Sequence, residues 1–296
     1  ETTAQPSGSP LTSLGWKSVV KRIPLIGLGA RKAYRRNIEV RLSRICQENR
    51  STHCFVNYAL SQTPPKLGIP VVGLVHDLNF LHYPENFTPG APRELRRSIV
   101  NWLQNADAVT VLSATGKEEI ISLAKREPRA RVEIIPNAIK TFGEEYVAEP
   151  RADGSPIFLY PATALAHKNH LGLLEAARKL ALGGNQFQVV MTGSRIEEIE
   201  GNEAVANATV EKARQFYIEH RKTLAKVISF RAALDSAELA RLYRGAHRVI
   251  LPTKYEGFGL PLLEAVSHGT RVLCSSIPQF REQVDRYDCT AWVKFF

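Results

Sequence analysis

The sequence predicts an α/β protein made of two doubly wound, Rossmann-like domains. Three observations predict this class. Short apolar runs alternate with amphipathic segments from Val71 to Ala138. A polar stretch with Gly and Pro and no sustained period, KTFGEEYVAEPRADGSP (Lys140 to Pro156), then breaks the pattern and reads as a linker. The alternation restarts beyond it, as parallel sheets with helices on their faces require. The division expected is 1–145 and 155–296.

In the first half, VVGLVHD (Val71 to Asp77) is an apolar run ending in polar groups, like a buried parallel strand. Leu95, Ile99, Trp102 and Leu103 fall on one helical face. DAVTVLS (Asp107 to Ser113) is a second strand. TGKEEIISLAK follows as a helix, with Thr115 and Glu118 spaced for a capping box. RVEIIPNA is a third strand, stopped by Pro136.

The second half has the clearer pattern. IFLYPA, FQVVMTG, KVISF, HRVILPT and RVLCSS read as strands. Between them NHLGLLEAARKLALGG, ATVEKARQFYIEHRKTLA, DSAELARLYRGA and LPLLEAVSHG read as helices, the third capped by Asp235 with Glu238 at the box position. Ligands of such sheets sit beyond the carboxyl ends of the strands. The loops to watch are therefore 161–169, 192–195, 230–235 and 253–260, which bring Gly193 and Phe230 into consideration.

Composition narrows the function classes. A chain of 296 residues with 44% hydrophobic content can bury real cores, and at roughly 150 residues per domain it suggests two of them. No apolar run reaches the roughly 18–20 residues that span a bilayer, and the opening ETTAQPSGSP lacks a basic-then-apolar leader pattern. Cys46, Cys54, Cys274 and Cys289 show no metal-like spacing and read as reduced thiols of a cytoplasmic protein. The net charge of +10 calls for an anionic partner. Nucleic-acid motifs are missing. Much of the charge lies in Lys17–Arg44, where Lys17, Lys21, Arg22, Arg31, Lys32, Arg35, Arg36, Arg41 and Arg44 face one acid, Glu39. That segment reads as a solvated helix face or as a patch for anionic membrane, at about 1 kcal/mol per base.

YEGFGLPLLEAVSHGT (Tyr255 to Thr270) carries the chemistry. Gly257 and Gly259 allow a tight turn and close approach of a ligand to bare peptide groups. Pro261 suits a first helical turn, so a helix is expected from about Leu260. Its free N–H groups and positive dipole end form an anion site. Glu256 precedes the turn and Glu264 lies about one turn into the helix. Carboxylates accept strong hydrogen bonds from hydroxyls. The arrangement fits a nucleotide-sugar whose diphosphate lies at the helix mouth between two acids. Two decoys fail. IGLGARKA has Lys32 where a dinucleotide loop needs a third glycine, and TGKEE is not a phosphate loop.

LPTKYEGFGLPLLEAVSHGT resembles the donor-site signature of the family 4 glycosyltransferases, retaining enzymes of the GT-B fold with a Glu-x7-Glu motif. YPATALAHKNHLGLLEAARKL resembles their phosphate-site segment, and VVGLVHDLNFLHYPENFTP and IIPNAI resemble pieces of their N-terminal domain. The resemblance covers roughly 69–284. It implies two Rossmann-like domains facing a cleft, and it implies residue roles. Glu256 would contact the transferred sugar and Glu264 the ribose. Backbone groups of Gly257, Phe258, Gly259 and Leu260 would hold sugar and diphosphate. Lys168 would neutralise the leaving diphosphate, and His76 would lie near the reacting sugar. Thr163 stands where many relatives have arginine, which leaves His167, or Thr163 itself, to support the second phosphate.

The activity implied is transfer of a hexose, mannose or glucose, from a nucleotide diphosphate sugar to a saccharide or lipid-linked saccharide, in polysaccharide or glycan synthesis. GDP-mannose and UDP-glucose both fit as donors. With no Asp-x-Asp, no metal and no other cofactor is expected. A cytoplasmic protein, peripheral on the membrane through Lys17–Arg44, is the matching location. The relatives' first Gly-rich loop and closing helices are not found, so the N-terminal domain reads as incomplete. Two other functions compete: a non-catalytic nucleotide-sugar binder and a GT-B nucleotide-sugar epimerase.

Overall fold

The computed structural model describes residues 24–60, 63–124, 126–139, 154–232 and 234–296, with side chains from residue 36 onward. The linker expected over Lys140–Pro156 falls almost wholly outside the described residues, as do Lys17, Lys21 and Arg22. The chain divides into two compact units, residues 1–55 with 65–71, and residues 56–64 with 72–296.

The smaller unit contains helix α1 (Pro24–Glu48), whose first turn accepts Pro24 because its missing N–H has no intrahelical partner. The IGLGARKA segment lies inside this helix, which removes it as a dinucleotide loop. Within the unit Glu39 Oε1 accepts from the Lys66 amide at 3.3 Å. Strand β1 (Cys54–Val56) is short.

The larger unit holds two parallel sheets. Strands β2 (Val71–Val75), β3 (Ala108–Val111) and β4 (Arg131–Ile134) pair in that order, all parallel. Helices α2 (Asn79–His82), α3 (Ala91–Asn105) and α4 (Ala114–Ser122) connect them. The apolar stripe of α3 packs as its spacing predicts, with Ile99, Trp102 and Leu103 fully buried. Each such side chain contributes about 1.5–3 kcal/mol. Helix α4 is capped by Ser113, whose hydroxyl accepts from the Gly116 amide at 3.1 Å. The Thr115–Glu118 capping box is therefore corrected: Ser113 holds the extended backbone a cap needs, and Thr115 is already helical.

The second sheet comprises β5 (Ile157–Pro161), β6 (Gln188–Thr192), β7 (Ile228–Arg231), β8 (Arg248–Leu251), β9 (Val272–Cys274) and β10 (Val293–Phe295). Their order is β10-β9-β8-β5-β6-β7, parallel throughout. The chain winds outward from β5 in one direction, then returns to β8 and winds outward in the other. This makes a doubly wound sheet with a topological switch between β5 and β8. Helices α5 (His170–Leu182), α6 (Glu197–Glu200), α7 (Ala208–Glu219), α8 (Arg221–Leu224), α9 (Ser236–Gly245), α10 (Leu260–Ser267) and α11 (Pro278–Arg286) cover it. Alternate residues feed opposite faces: Leu159 joins a core with Val249, Leu262 and Phe280, while Tyr160 joins one with Met191, Leu174 and Tyr217. Burial on both faces explains why these strands read as continuous apolar runs.

The capping box of α9 is present, with Asp235 and Glu238 bonded reciprocally. The single long helix expected over ATVEKARQFYIEHRKTLA is two, α7 and α8. His220 lies between them, with φ −110° and ψ 19° outside the helical region.

Candidate donor site at the strand switch

The site lies at the carboxyl ends of β5 and β8, on either side of the switch. After β5 the chain makes a 3-10 turn, Ala166–Lys168. The turn is pinned from three directions. The Tyr160 hydroxyl donates to the Lys168 carbonyl at 2.7 Å, and the Thr253 hydroxyl and Lys254 amide donate to the His167 carbonyl at 3.1 and 2.8 Å. Asn86 adds a fourth tie, accepting from the Ala166 amide at 2.9 Å and from Asn207 at 2.9 Å. A backbone held this way fixes where the Lys168 side chain starts.

Lys168 Nζ is 2.6 Å from Glu256 Oε1, and the two side chains are only 15% and 11% exposed. Two residues expected to hold different parts of a ligand are thus paired with each other. The loop that carries Glu256 is equally constrained. A side chain at Gly257 would run into the His76 carbonyl oxygen, and the Gly257 carbonyl accepts from the Ser113 hydroxyl at 3.2 Å. Gly259 has φ 89°, and a Cβ there would lie 2.5 Å from the Phe280 ring. Gln283, on α11, donates to the Phe258 carbonyl. Tyr255 accepts from the Leu78 amide at 3.0 Å and donates to Glu119 at 3.1 Å, joining the loop to α2 and α4.

Helix α10 starts at Leu260 with Pro261 in its first turn, as expected, and Gly259 as an N-cap with no side-chain bond. The Leu260 amide, at the first helical position, has no intrahelical partner, Pro261 has no N–H, and the Leu262 amide donates to the Gly259 carbonyl at 3.2 Å. Glu264 accepts from the buried Tyr243 hydroxyl at 2.7 Å, which fixes one carboxylate oxygen. Burial and Glu264 push the Tyr243 phenol far above its usual pKa, so it stays a donor.

Glu264, Pro261, Tyr243, Thr163 and Gly193 line one cleft of about 560 Å³. Gly193 is forced there: with φ 138°, a Cβ would lie 2.5 Å from the Ala162 carbonyl oxygen. Phe230 does not line the cleft. Its ring meets Tyr217 edge-on at 5.0 Å and packs against the core. Phe258 and Leu260 also pack on core residues, leaving only their backbones toward the loop.

His167, the candidate for the second phosphate, is buried within the turn. It is 5% exposed, its Nδ1 faces the Asn86 amide at 3.2 Å, and burial together with Lys168 lowers its pKa to about 3. It is neutral near pH 7 and acts as a structural ring. His76 is half-buried, and its Nε2 donates to the Asn57 carbonyl at 2.7 Å. Only Nδ1 remains to meet a substrate.

Sequence reasoning missed Tyr243, Asn86 and Gln283. Their positions give no local signal, because each acts on a residue at least 21 positions away in the chain, apart from Asn86 with Asn79. Among the described residues, no cluster of three or more His, Cys, Asp or Glu could hold a metal.

Residues 141–295, more than half of the chain, match the family model described as Glycosyl transferases group 1. Residues 13–141 match that described as Glycosyltransferase Family 4. The chain belongs to the group 1 glycosyl transferases. The chain is 27% identical over 221 residues to O-antigen chain mannosyltransferase B of Escherichia coli, an alignment covering 71% of this chain and 54% of that protein. It thus spans about half the length of that curated relative. Its fold matches sucrose-phosphate synthase of Thermosynechococcus elongatus with TM-score 0.58 and 21% identity, over 92% of this chain and 64% of that one. It also matches WaaG, a glycosyltransferase involved in lipopolysaccharide biosynthesis, with TM-score 0.57 and 15% identity, over 86% and 67% of the two chains. The fold is GT-B.

Proposed function

We propose that this glycosyl transferase is a retaining hexosyltransferase using a nucleotide diphosphate sugar. One observation carries the reading. Lys168 and Glu256 form a close ion pair across the β5–β8 switch, beside an uncapped helix N-terminus whose next acid, Glu264, is held by Tyr243. A donor would exchange with this pair. Its diphosphate would take the Lys168 ammonium and the backbone amides of Gly259 and Leu260, its sugar hydroxyls Glu256, and its ribose Glu264.

In the reaction the bond from the sugar's anomeric carbon to the diphosphate oxygen breaks. A bond to the acceptor oxygen forms on the same face, and the acceptor's proton passes to the departing diphosphate. Lys168 stabilises the charge that grows on that leaving group. This device uses cationic and backbone groups and involves no metal.

Mannose is the sugar favoured, because the curated relative named above is a mannosyltransferase. GDP-mannose is then the first donor to try and UDP-glucose the second. The acceptor is a saccharide or lipid-linked saccharide in polysaccharide synthesis, with residues 1–145 on the acceptor side and 155–296 on the donor side. No described helix is long and apolar enough to cross a membrane. We place the protein in the cytoplasm, touching the anionic leaflet through the Lys17–Arg44 segment, of which Arg36, Arg41 and Arg44 are exposed.

The test is a panel of nucleotide-sugars scored for thermal protection and for transfer to saccharide acceptors. A true donor at about 100 times its Kd adds roughly 2.7 kcal/mol. Protection by no nucleotide-sugar, or product of inverted anomeric configuration, would refute the reading.

A further inference from the structure

The amino ends of β8 and β9 hold a second cavity, of about 430 Å³, on the opposite edge of the sheet from the donor loops. No residue lines both this cavity and the donor cleft. A four-residue strand separates the two edges by about 13 Å.

The chemistry of its walls is one-sided. Arg244, Arg248, Arg271, His247 and His268 line it, with no carboxylate among the lining residues. Among the described residues the Arg248 and Arg271 side chains make no hydrogen bond or ion pair, although Arg248 is half-buried. Arg244 is oriented rather than loose, since its Nε donates to His268 Nδ1 at 3.3 Å. The His268 ring in turn stacks on Tyr243 at 5.3 Å and 15°. Trp292, 39% exposed, completes the wall with an apolar indole face.

We propose that this cavity is a second anion site, shaped for a phosphate-bearing carbohydrate. Half-buried guanidinium groups in a cavity without acids are stabilised by an anion that supplies several acceptor oxygens. A phosphate offers three such oxygens and nearly two charges, whereas a carboxylate offers two oxygens and one charge. The guanidinium fork matches phosphate geometry in a way an ammonium does not. The volume lies within the range of about 300–1,000 Å³ typical of small-molecule sites. The Trp292 face gives an attached sugar ring an apolar surface to rest on.

The test uses the full chain saturated with GDP and UDP, which occupies any donor site that exists. Glucose 1-phosphate, pyrophosphate and inorganic phosphate are titrated by calorimetry, with tryptophan fluorescence followed in parallel. Phosphatidylcholine vesicles with and without phosphatidylglycerol are co-sedimented in a second arm. Glucose 1-phosphate is expected to bind more tightly than inorganic phosphate. Arg248→Ala with Arg271→Ala should weaken it by at least about tenfold, equivalent to about 1.4 kcal/mol. The paired Lys substitutions should fall between, and Trp292→Phe should abolish the fluorescence change.

If instead the arginine pair controls only vesicle binding, the phosphate belongs to a lipid headgroup and the site stands. If the double variant matches the wild type for every probe, the site does not exist. Should that variant fail to fold by circular dichroism, Arg271→Glu, at an exposed position, supplies the same comparison.

Discussion

Lys168 and Glu256, 88 residues apart in sequence, meet at 2.6 Å on either side of the sheet's switch point. Each offers the other an opposite charge at hydrogen-bond distance. On the proposed reading, a donor would compete with this contact for the Lys168 ammonium and the Glu256 carboxylate. Glu256→Gln should free the ammonium, so nucleoside diphosphate binding should tighten by about tenfold, or about 1.4 kcal/mol, while sugar transfer falls by at least about a hundredfold. Lys168→Ala should weaken the diphosphate itself. Calorimetry with GDP and UDP checks both, and unchanged affinity in the Lys168 variant would remove that lysine from the phosphate site.

The same pair makes a stability prediction. Removing one partner leaves a mostly buried charge alone, at a cost of about 1–3 kcal/mol given its residual exposure. Removing both avoids that cost. The double variant Lys168→Ala, Glu256→Ala should lose clearly less stability than the two single losses added together. A double-mutant cycle in urea measures this coupling.

Tyr243 lines the cleft and holds Glu264 through a 2.7 Å bond from its hydroxyl. Tyr243→Phe should raise KM for the donor roughly fivefold, about 1 kcal/mol, with kcat within about twofold, the pattern of lost uniform binding. A fall in kcat at constant KM would show that the tyrosine has some other role.

Gly259 is fixed by backbone and by contact. An L-residue in the left-handed region costs about 1–2 kcal/mol, and a Cβ there would also press on Phe280 at 2.5 Å. Gly259→Ala should lower stability by about 2–4 kcal/mol, seen as a drop in Tm and in the urea midpoint. A neutral result would mean that the turn relaxes freely.

Acid should destabilise the donor loop. Burial and Lys168 hold His167 and His170 near a pKa of about 3 each, below the ordinary value of 6.5. The folded values are the lower ones, so the unfolded chain binds protons first as pH falls. The stabilisation is whole above about pH 6.5 and drains away toward pH 3, by at most about 2.7 kcal/mol per pH unit for the two together. Urea midpoints across this window should fall with acid, and His167→Gln should reduce the slope by roughly half. An unchanged slope would mean that His167 is charged in the folded state.

Much of the fold could be read directly. The apolar face of α3, the capping box of α9 and the start of α10 at Leu260 all follow from local spacing and cap chemistry. Local rules failed where two signals competed. Ser113 took the cap that Thr115 also offered, and His220 broke a run whose composition is helical throughout.

The sequence alone determined the two parallel sheets, the start of α10 at Leu260 and the acids around it, because periodicity and backbone chemistry act within a few residues. Tertiary structure decided the rest. It paired Lys168 with Glu256, fixed Glu264 by Tyr243, neutralised His167 by burial and turned Phe230 into the core. The reason is physical: charge state and side-chain orientation depend on neighbours brought together by folding, and those neighbours lie far away along the chain.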